Sequence, residues 1–290
     1  MEKKLQYSIN CNGKLLDLSV PRVMGIINVT PDSFYAGSRR QTDADIVEQA
    51  KQMLLDGASI IDVGGCSTRP GASCPDEEEE KRRLAHAFDA IRKALPDAIL
   101  SVDTFRSSVA RMCVEDYRVD MVNDISGGSM DEGMFDTVAR LGVPYILMHS
   151  KGTPADMQTA PHYDDLMLEV LLYFADRVQQ LRDRGQKDII IDPGFGFGKT
   201  LDHNYQLLGQ MQQLQALELP ILVGCSRKSM IYRLLDTTPE EALNGTTVVN
   251  TIALTKGASI LRVHDVRAAK ECVDIYCKML SPSPYKGNIP

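Results

Sequence analysis

Short apolar runs recur along the chain, each ending in polar residues: VMGIIN, SIIDVGG, AILSVD, MVND, YILMH, IIIDPG, ILVGCSRK and SILRVHD. A stretch with helical spacing follows each run. Eight consecutive strand–helix units predict a (β/α)8 barrel, an α/β fold whose strand C-termini converge on one face. The run-end residues Asn28, Asp62, Asp103, Asn123, His149, Asp192, Lys228, Arg262 and His264 then gather into one site. No single cluster carries that conclusion; the repeated placement does.

The runs predict strands over 22–28, 59–63, 98–103, 120–124, 144–149, 188–192, 220–224 and 259–263. Val47, Ala50, Met53 and Leu54 give the helix predicted over 43–56 an apolar face at 3.6-residue spacing. Further helices are expected from residue 76, over 106–116, over 166–184 with Gly185 as its C-terminal cap, and over 266–280. The run EEEE at 77–80 suits a helix N-terminus, where the macrodipole favours negative charge, and reads as a solvated helix start rather than a metal site. Ahead of the first strand, LQYSI (5–9) and KLLDL (14–18) flank Asn12-Gly13, a hairpin signal. The organisation is therefore an N-terminal β-hairpin (1–20) closing the barrel bottom, a single TIM barrel (21–282) and a loose tail (283–290).

Composition narrows the class. The chain has 290 residues, ample for one barrel, with 43% hydrophobic and 24% charged residues, as in soluble globular proteins. A net charge of −7 argues against general nucleic-acid binding. Local cations, Arg69, Arg227, Lys228 and Arg262, still allow an anion to bind. The seven cysteines are odd in number and form no C-x-x-C pair, which predicts a reduced protein. No secretory h-region and no apolar run near ~20 residues is present. The expectation is a cytoplasmic protein without a membrane partner.

The segment GFGFGKT (194–200) imitates a phosphate loop. The G-x-x-x-x-G-K-[ST] pattern would need glycine at 193, which is Pro193, so an ATPase reading fails. Asp103, Asn123 and Asp192, at strand ends, offer hydrogen-bond acceptors and an amide donor pair, a set suited to a flat heterocycle with ring N–H and exocyclic amino groups. Each could instead cap a helix; three in equivalent places favour the ligand. Arg262 and His264 alternate across Val263 and point the same way. With Lys228 they sit after strands seven and eight, where barrels often bind phosphate. Ser226 reads as a helix cap, an anion-binding N-terminus, or both. No nucleophile elbow and no zinc-like histidine spacing occurs.

VMGIINVTPDSF (23–34), DVGGCSTRPGA (62–72), SVDT (101–104), VNDISGG (122–128), IDPGFGFGK (191–199), GCSRKS (224–229) and RVHDV (262–266) together resemble the dihydropteroate synthase family. The resemblance spans nearly the whole chain. It implies a folate-biosynthetic barrel enzyme, a transferase. Such an enzyme joins 4-aminobenzoate to 6-hydroxymethyl-7,8-dihydropterin diphosphate with Mg2+ assisting, and sulfonamides compete with the aminobenzoate. Carried over by motif, it implies that Asp103, Asn123, Asp192 and Lys228 hold the pterin. Asn28 would meet Mg2+ and, with Arg262 and His264, the diphosphate. Thr68, Arg69, Pro70, Phe197 and Ser229 would frame the aminobenzoate. Catalysis would fall to Asp103, Lys228, Arg262 and His264, and a homodimer through the outer helices is implied.

Two positions depart from the family pattern. Cys66 stands where GGESTRPG has its glutamate, and Tyr35-Ala36-Gly37-Ser38 replaces the end of NVTPDSFSDGG. The missing acid at Ala36 bears on the contacts of the first loop and not on the pterin residues. Two other readings share that pocket: a methyltetrahydrofolate-binding methyltransferase domain, which has no need of Arg262-x-His264 or the STRPG loop, and a non-catalytic pterin-binding protein.

Overall fold

The computed structural model describes residues 7–29, 43–66, 74–151 and 161–280. The first elements in chain order are β1 (Ser8–Cys11), β2 (Lys14–Asp17), β3 (Arg22–Asn28), α1 (Asp43–Leu55), β4 (Ile60–Gly64), α2 (Glu77–Ala94), β5 (Leu100–Asp103), α3 (Ser107–Tyr117), β6 (Met121–Asp124) and α4 (Met134–Leu141). There follow β7 (Tyr145–Met148), α5 (Leu166–Asp183), β8 (Ile189–Asp192), α6 (Leu201–Gln210), a 3-10 turn (Met211–Leu217), β9 (Ile221–Val223), α7 (Ser229–Tyr232), α8 (Leu243–Thr255), β10 (Ala258–Val263) and α9 (Val266–Leu280). Strands β3 to β10 pair in parallel and close into a barrel, β10 returning to β3. The expected (β/α)8 barrel with an N-terminal hairpin is the observed fold.

The hairpin turns on Asn12 (φ 50°) and Gly13 (φ 84°), the left-handed pair that a two-residue loop demands. Ile9, Cys11, Leu16 and Leu18 are buried against Met24, Ile60, Met121 and Ile190. Asn12 Nδ2 donates to Asp120 Oδ1 at 3.0 Å, and Lys14 Nζ meets Asp97 Oδ1 at 3.1 Å. Both acids precede strand N-termini, so the ribbon plugs the mouth opposite the polar strand ends. The tail at 283–290 lies outside the described residues.

α8 is the element that sequence delimits least. Its LNGTTVVNTIALT is rich in β-branched residues and contains Gly245, all poor helix formers. Packing supplies what propensity withholds: a side chain at Gly245 would collide with Ile231, so the glycine lets α8 lie against α7. In α2 the acidic run divides. Asp76 caps the helix by accepting from Glu79 N at 2.9 Å, whereas Glu80 is fully buried and pairs with Thr104 and Arg106.

The all-reduced expectation for the cysteines is corrected. Cys66 and Cys74 form a disulfide, their Cα atoms 5.1 Å apart. Cys66 follows β4 and Cys74 precedes α2, and these elements pack together, which brings the two thiols to one rim. A separation of eight residues gives no such signal in sequence. Cys11, Cys113, Cys225, Cys272 and Cys277 form no disulfide. Among the described residues no helix is long and apolar enough to cross a membrane.

Candidate active site

At the C-terminal mouth of the barrel, Arg262 on β10 reaches across to two carboxylates. Its Nε donates to Asp62 Oδ2 at 2.7 Å, and its terminal nitrogen donates to Asp103 Oδ2 at 2.5 Å. Asn123 Nδ2 donates to the same Asp62 oxygen at 3.0 Å. Strand pairing enforces the grouping: Gly64 is opposite Asp103, and Asp103 is opposite Asn123. Asp62 is wholly buried, and Asp103 and Asn123 are nearly so. Ionic groups withdrawn from water this far need each other.

Protonation follows from that burial. Burial raises the Asp103 carboxyl to about 7, with Arg262 opposing the shift and the carboxylates of Asp62, Glu80 and Asp124 adding to it. Burial works against the Arg262 charge, but Asp62 and Asp103 outweigh it and hold the guanidinium above its ordinary range. Burial likewise lifts Asp192 and lowers Lys228, each tempered by the other's charge.

Lys228 and Asp192 shape a second wall. Lys228 Nζ donates to the Phe195 carbonyl at 2.6 Å and lies 4.7 Å from the centre of the Phe197 ring. Asp192 Oδ1 accepts from Gly194 N at 2.8 Å. Glycine is required in this loop: Gly194 and Gly198 have φ of +68° and +61°, and a side chain on either would strike the carbonyl oxygen of His149 or Lys151. The lysine of the phosphate-loop lookalike turns inward. Lys199 Nζ donates to the carbonyls of Gly194 and Phe197, both at 3.0 Å, and bonds His149 Nδ1 at 2.9 Å. It is a staple for the loop, and His149 is packed behind it beneath the Tyr173 ring rather than joining the acids.

Between the neighbouring ends of β9 and β10, His264 Nδ1 lies 3.0 Å from Ser226 Oγ. Ser226 therefore orients a histidine and does not cap α7, whose N-cap is Lys228. Arg227, grouped with the free cations by sequence, is a tie between loops: it forks onto Asp265 at 2.8 and 2.9 Å and donates to the Pro239 carbonyl at 2.9 Å. Ser229 opens α7 next to Lys228. Thr68, Arg69, Pro70 and the 35–38 segment lie outside the described residues.

The family model described as pterin binding enzyme matches residues 24–264. The chain belongs to the dihydropteroate synthase family. It is 43% identical over 276 residues to dihydropteroate synthase of Escherichia coli K12, covering 94% of this chain and 97% of that protein. The Synechocystis dihydropteroate synthase is 43% identical over 85% of this chain and 86% of its own. Among solved structures, Yersinia pestis dihydropteroate synthase in a sulfonamide drug complex matches with a TM-score of 0.89 and 40% identity, over 94% of this chain and 99% of that one. The Thermus thermophilus dihydropteroate synthase in complex with 4-aminobenzoate matches with a TM-score of 0.84 and 35% identity, over 95% of this chain and 100% of its own.

Dihydropteroate synthase motifs identify Asp103, Asn123, Asp192, Lys228 and Arg262, and the fold assembles them at one mouth. They give no role to Asp62, which receives both Asn123 and Arg262, or to Lys199. The signal for Asp62 was its run-end position; for Lys199 it was the failed phosphate-loop spacing beside three glycines. The residues at the mouth also fit the Mg2+ that the family implies. A Cβ built on Gly64 would lie 3.4 Å from Asp103 Cβ and 3.6 Å from Asn28 Oδ1, so the glycine keeps space open beside a hard oxygen donor. Among the described residues no group of three or more His, Cys, Asp or Glu forms a metal cage. One amide oxygen suits an ion that Mg2+ chemistry would share with substrate phosphates and water.

Proposed function

We propose that this chain condenses 4-aminobenzoate with 6-hydroxymethyl-7,8-dihydropterin diphosphate, releasing 7,8-dihydropteroate and pyrophosphate in folate biosynthesis. The observation carrying this reading is the arginine-bridged acid and amide cluster at the mouth of a barrel that belongs to the dihydropteroate synthase family. The methyltransferase alternative is not favoured: the curated relatives that match most of the chain are dihydropteroate synthases.

Asp103, Asn123, Asp192 and Lys228 take the bicyclic ring, the acceptors reading its N–H and amino groups. Arg262 and His264 take the diphosphate, and Asn28 would hold Mg2+. Mg2+ supplies added positive charge to the departing anion. The C–O bond of the pterin methylene breaks early, its electron pair leaving on the diphosphate oxygen. Asp103 then faces a developing carbocation that its charge favours more than the ground state. The aminobenzoate nitrogen attacks that carbon and loses one proton to solvent or pyrophosphate. An arylamine is a weak base, so no strong general base is needed. Phe197 and Ser229, with Thr68, Arg69 and Pro70, frame the arylamine. Sulfonamides, which resemble it, are expected competitors.

The same reading includes a homodimer. Val248 and Ile252 on α8, and Ile275 and Met279 on α9, are 52%, 38%, 70% and 64% exposed, forming two four-residue-spaced apolar stripes on neighbouring outer helices. Exposed apolar side chains on adjacent helices favour association. Sedimentation should give about twice the 32.1 kDa chain mass; a monomer at micromolar concentration would refute the assembly. For the reaction, the purified protein should release pyrophosphate only when both substrates and Mg2+ are present. Release that ignores 4-aminobenzoate, or none at all, would overturn the proposal.

A further inference from the structure

Two residues given substrate roles end on one oxygen of Asp62. Oδ2 accepts from Asn123 Nδ2 at 3.0 Å and from Arg262 Nε at 2.7 Å. The carboxylate is wholly buried on β4, one pleat above Ile60 of the apolar layer. We infer that Asp62 is a positioning residue that sets substrate specificity by fixing which way round the Asn123 amide is held.

The argument is one of hydrogen-bond inventory. An amide has an oxygen that only accepts and a nitrogen that only donates, and turning it over exchanges them with little change in shape. An ionised carboxylate only accepts. Paired with Asp62, Asn123 must present its NH2 to that carboxylate, and Oδ1 is turned away from it. The reversed amide would set oxygen against oxygen where no water can intervene, a cost of the kind that attends any unsatisfied buried polar group. Arg262 donates to the same oxygen and so reserves it for accepting. The wall offered to a ligand therefore has a fixed acceptor at Asn123 beside the acceptors of Asp103 and Asp192. Such a wall selects a ring edge rich in donors. It rejects one in which an exocyclic amino group is replaced by oxygen, because two acceptors would then face each other.

This inference rests on the pterin reading and says which feature of the ring is chosen. The test is Asp62→Leu, which keeps the size of the side chain but can neither accept nor donate, so that Asn123 is free to turn over. Calorimetry would measure 6-hydroxymethylpterin and its 2-oxo counterpart, a lumazine, on the wild-type and variant proteins. The wild type should prefer the 2-amino ring, and the variant should lose at least about tenfold of that preference. Pyrophosphate affinity should hold or rise, since Arg262 has lost a competing carboxylate. A merely structural role for Asp62 would weaken all three ligands together and leave the ratio unchanged, and an unchanged ratio overturns the inference while sparing the pterin reading. Wild-type protein that binds neither ring defeats both. Neutron diffraction on deuterated wild-type crystals needs no variant and decides the matter even if Asp62→Leu does not fold. Deuterons on the Asn123 atom facing Asp62 are expected; an oxygen there sinks the inference.

Discussion

The two ends of the barrel interior are built by the same strands and have opposite chemistry. β4 contributes Ile60 and then Asp62, β6 Met121 and then Asn123, β8 Ile190 and then Asp192, β10 Ile260 and then Arg262. The members of each pair are two residues apart, on one face of one strand, separated by a single pleat of roughly 7 Å. The lower members form a dry layer sealed by the hairpin. Of the upper members, Asp62, Asn123 and Arg262 are joined in an ionic hydrogen-bond network, and Asp192 accepts from the Gly194 backbone beside it. The barrel thus passes from core to active site in one step, and the apolar layer is the rigid floor on which the charged groups stand.

That contrast can be broken from either side. The largest stability loss is expected at the top: Arg262→Ala strands Asp62 and Asp103 without their cation, a change of about 3–5 kcal/mol for a buried pair. Because the Asp103 carboxyl already sits at about 7, protonation relieves the stranded charge below that pH. Urea denaturation should therefore show a larger loss at pH 8 than at pH 6, and equal losses would refute the ionic account. Pyrophosphate affinity should fall in the same variant.

At the bottom, Ile190→Ala should cost about 2–5 kcal/mol of stability by leaving a cavity, with kcat nearly intact. A collapse of kcat at unchanged fold would mean the floor is not merely a floor. Asp103→Asn is the converse. It should lower kcat about 100- to 1000-fold while pterin binding changes much less, because the lost charge acts mostly on the developing cation. Turnover near the wild-type level would remove the cation from the scheme.

Smaller effects sharpen the picture at the rim. The Cys66–Cys74 disulfide closes a short loop, so Cys74→Ser should cost about 2.5 kcal/mol under oxidising conditions and nothing once reductant is present. Thermal melts with and without dithiothreitol test this directly. The smallest effect is on pH. If Asp103 must be ionised, kcat/KM for the pterin should rise with pH through an inflection near 7, the value set by its burial in the free protein. A flat profile from pH 6 to 8 would contradict that requirement.

Much of this was legible in residue order. The strand at 22–28 and the helix at 266–280 fall where periodicity put them, and other predicted edges move by a residue or two. Strand ends named Asp103, Asn123, Asp192 and Arg262 because a parallel barrel must carry its strand C-termini to one mouth. α8 was obscure, since a run of threonine, valine and isoleucine has no helical signature until α7 and α9 pack against it. Arg227 was misleading and Lys199 unassigned for the same reason: the partners of a cation in a glycine-rich or serine-rich loop cannot be read until carbonyls and Asp265 are seen to claim it.

Sequence by itself determined the repeat of apolar run and polar end, and with it the barrel and the roster of charged groups at its mouth. It could do so because strand and helix periods are local properties of the chain. Partnership was decided only in three dimensions. That Asp62 serves both Asn123 and Arg262 depends on strands far apart in the chain closing into one ring, whereas Lys199 facing inward and Cys66 meeting Cys74 depend on how a single loop folds back on itself. Contacts across a closed barrel leave no spacing to read.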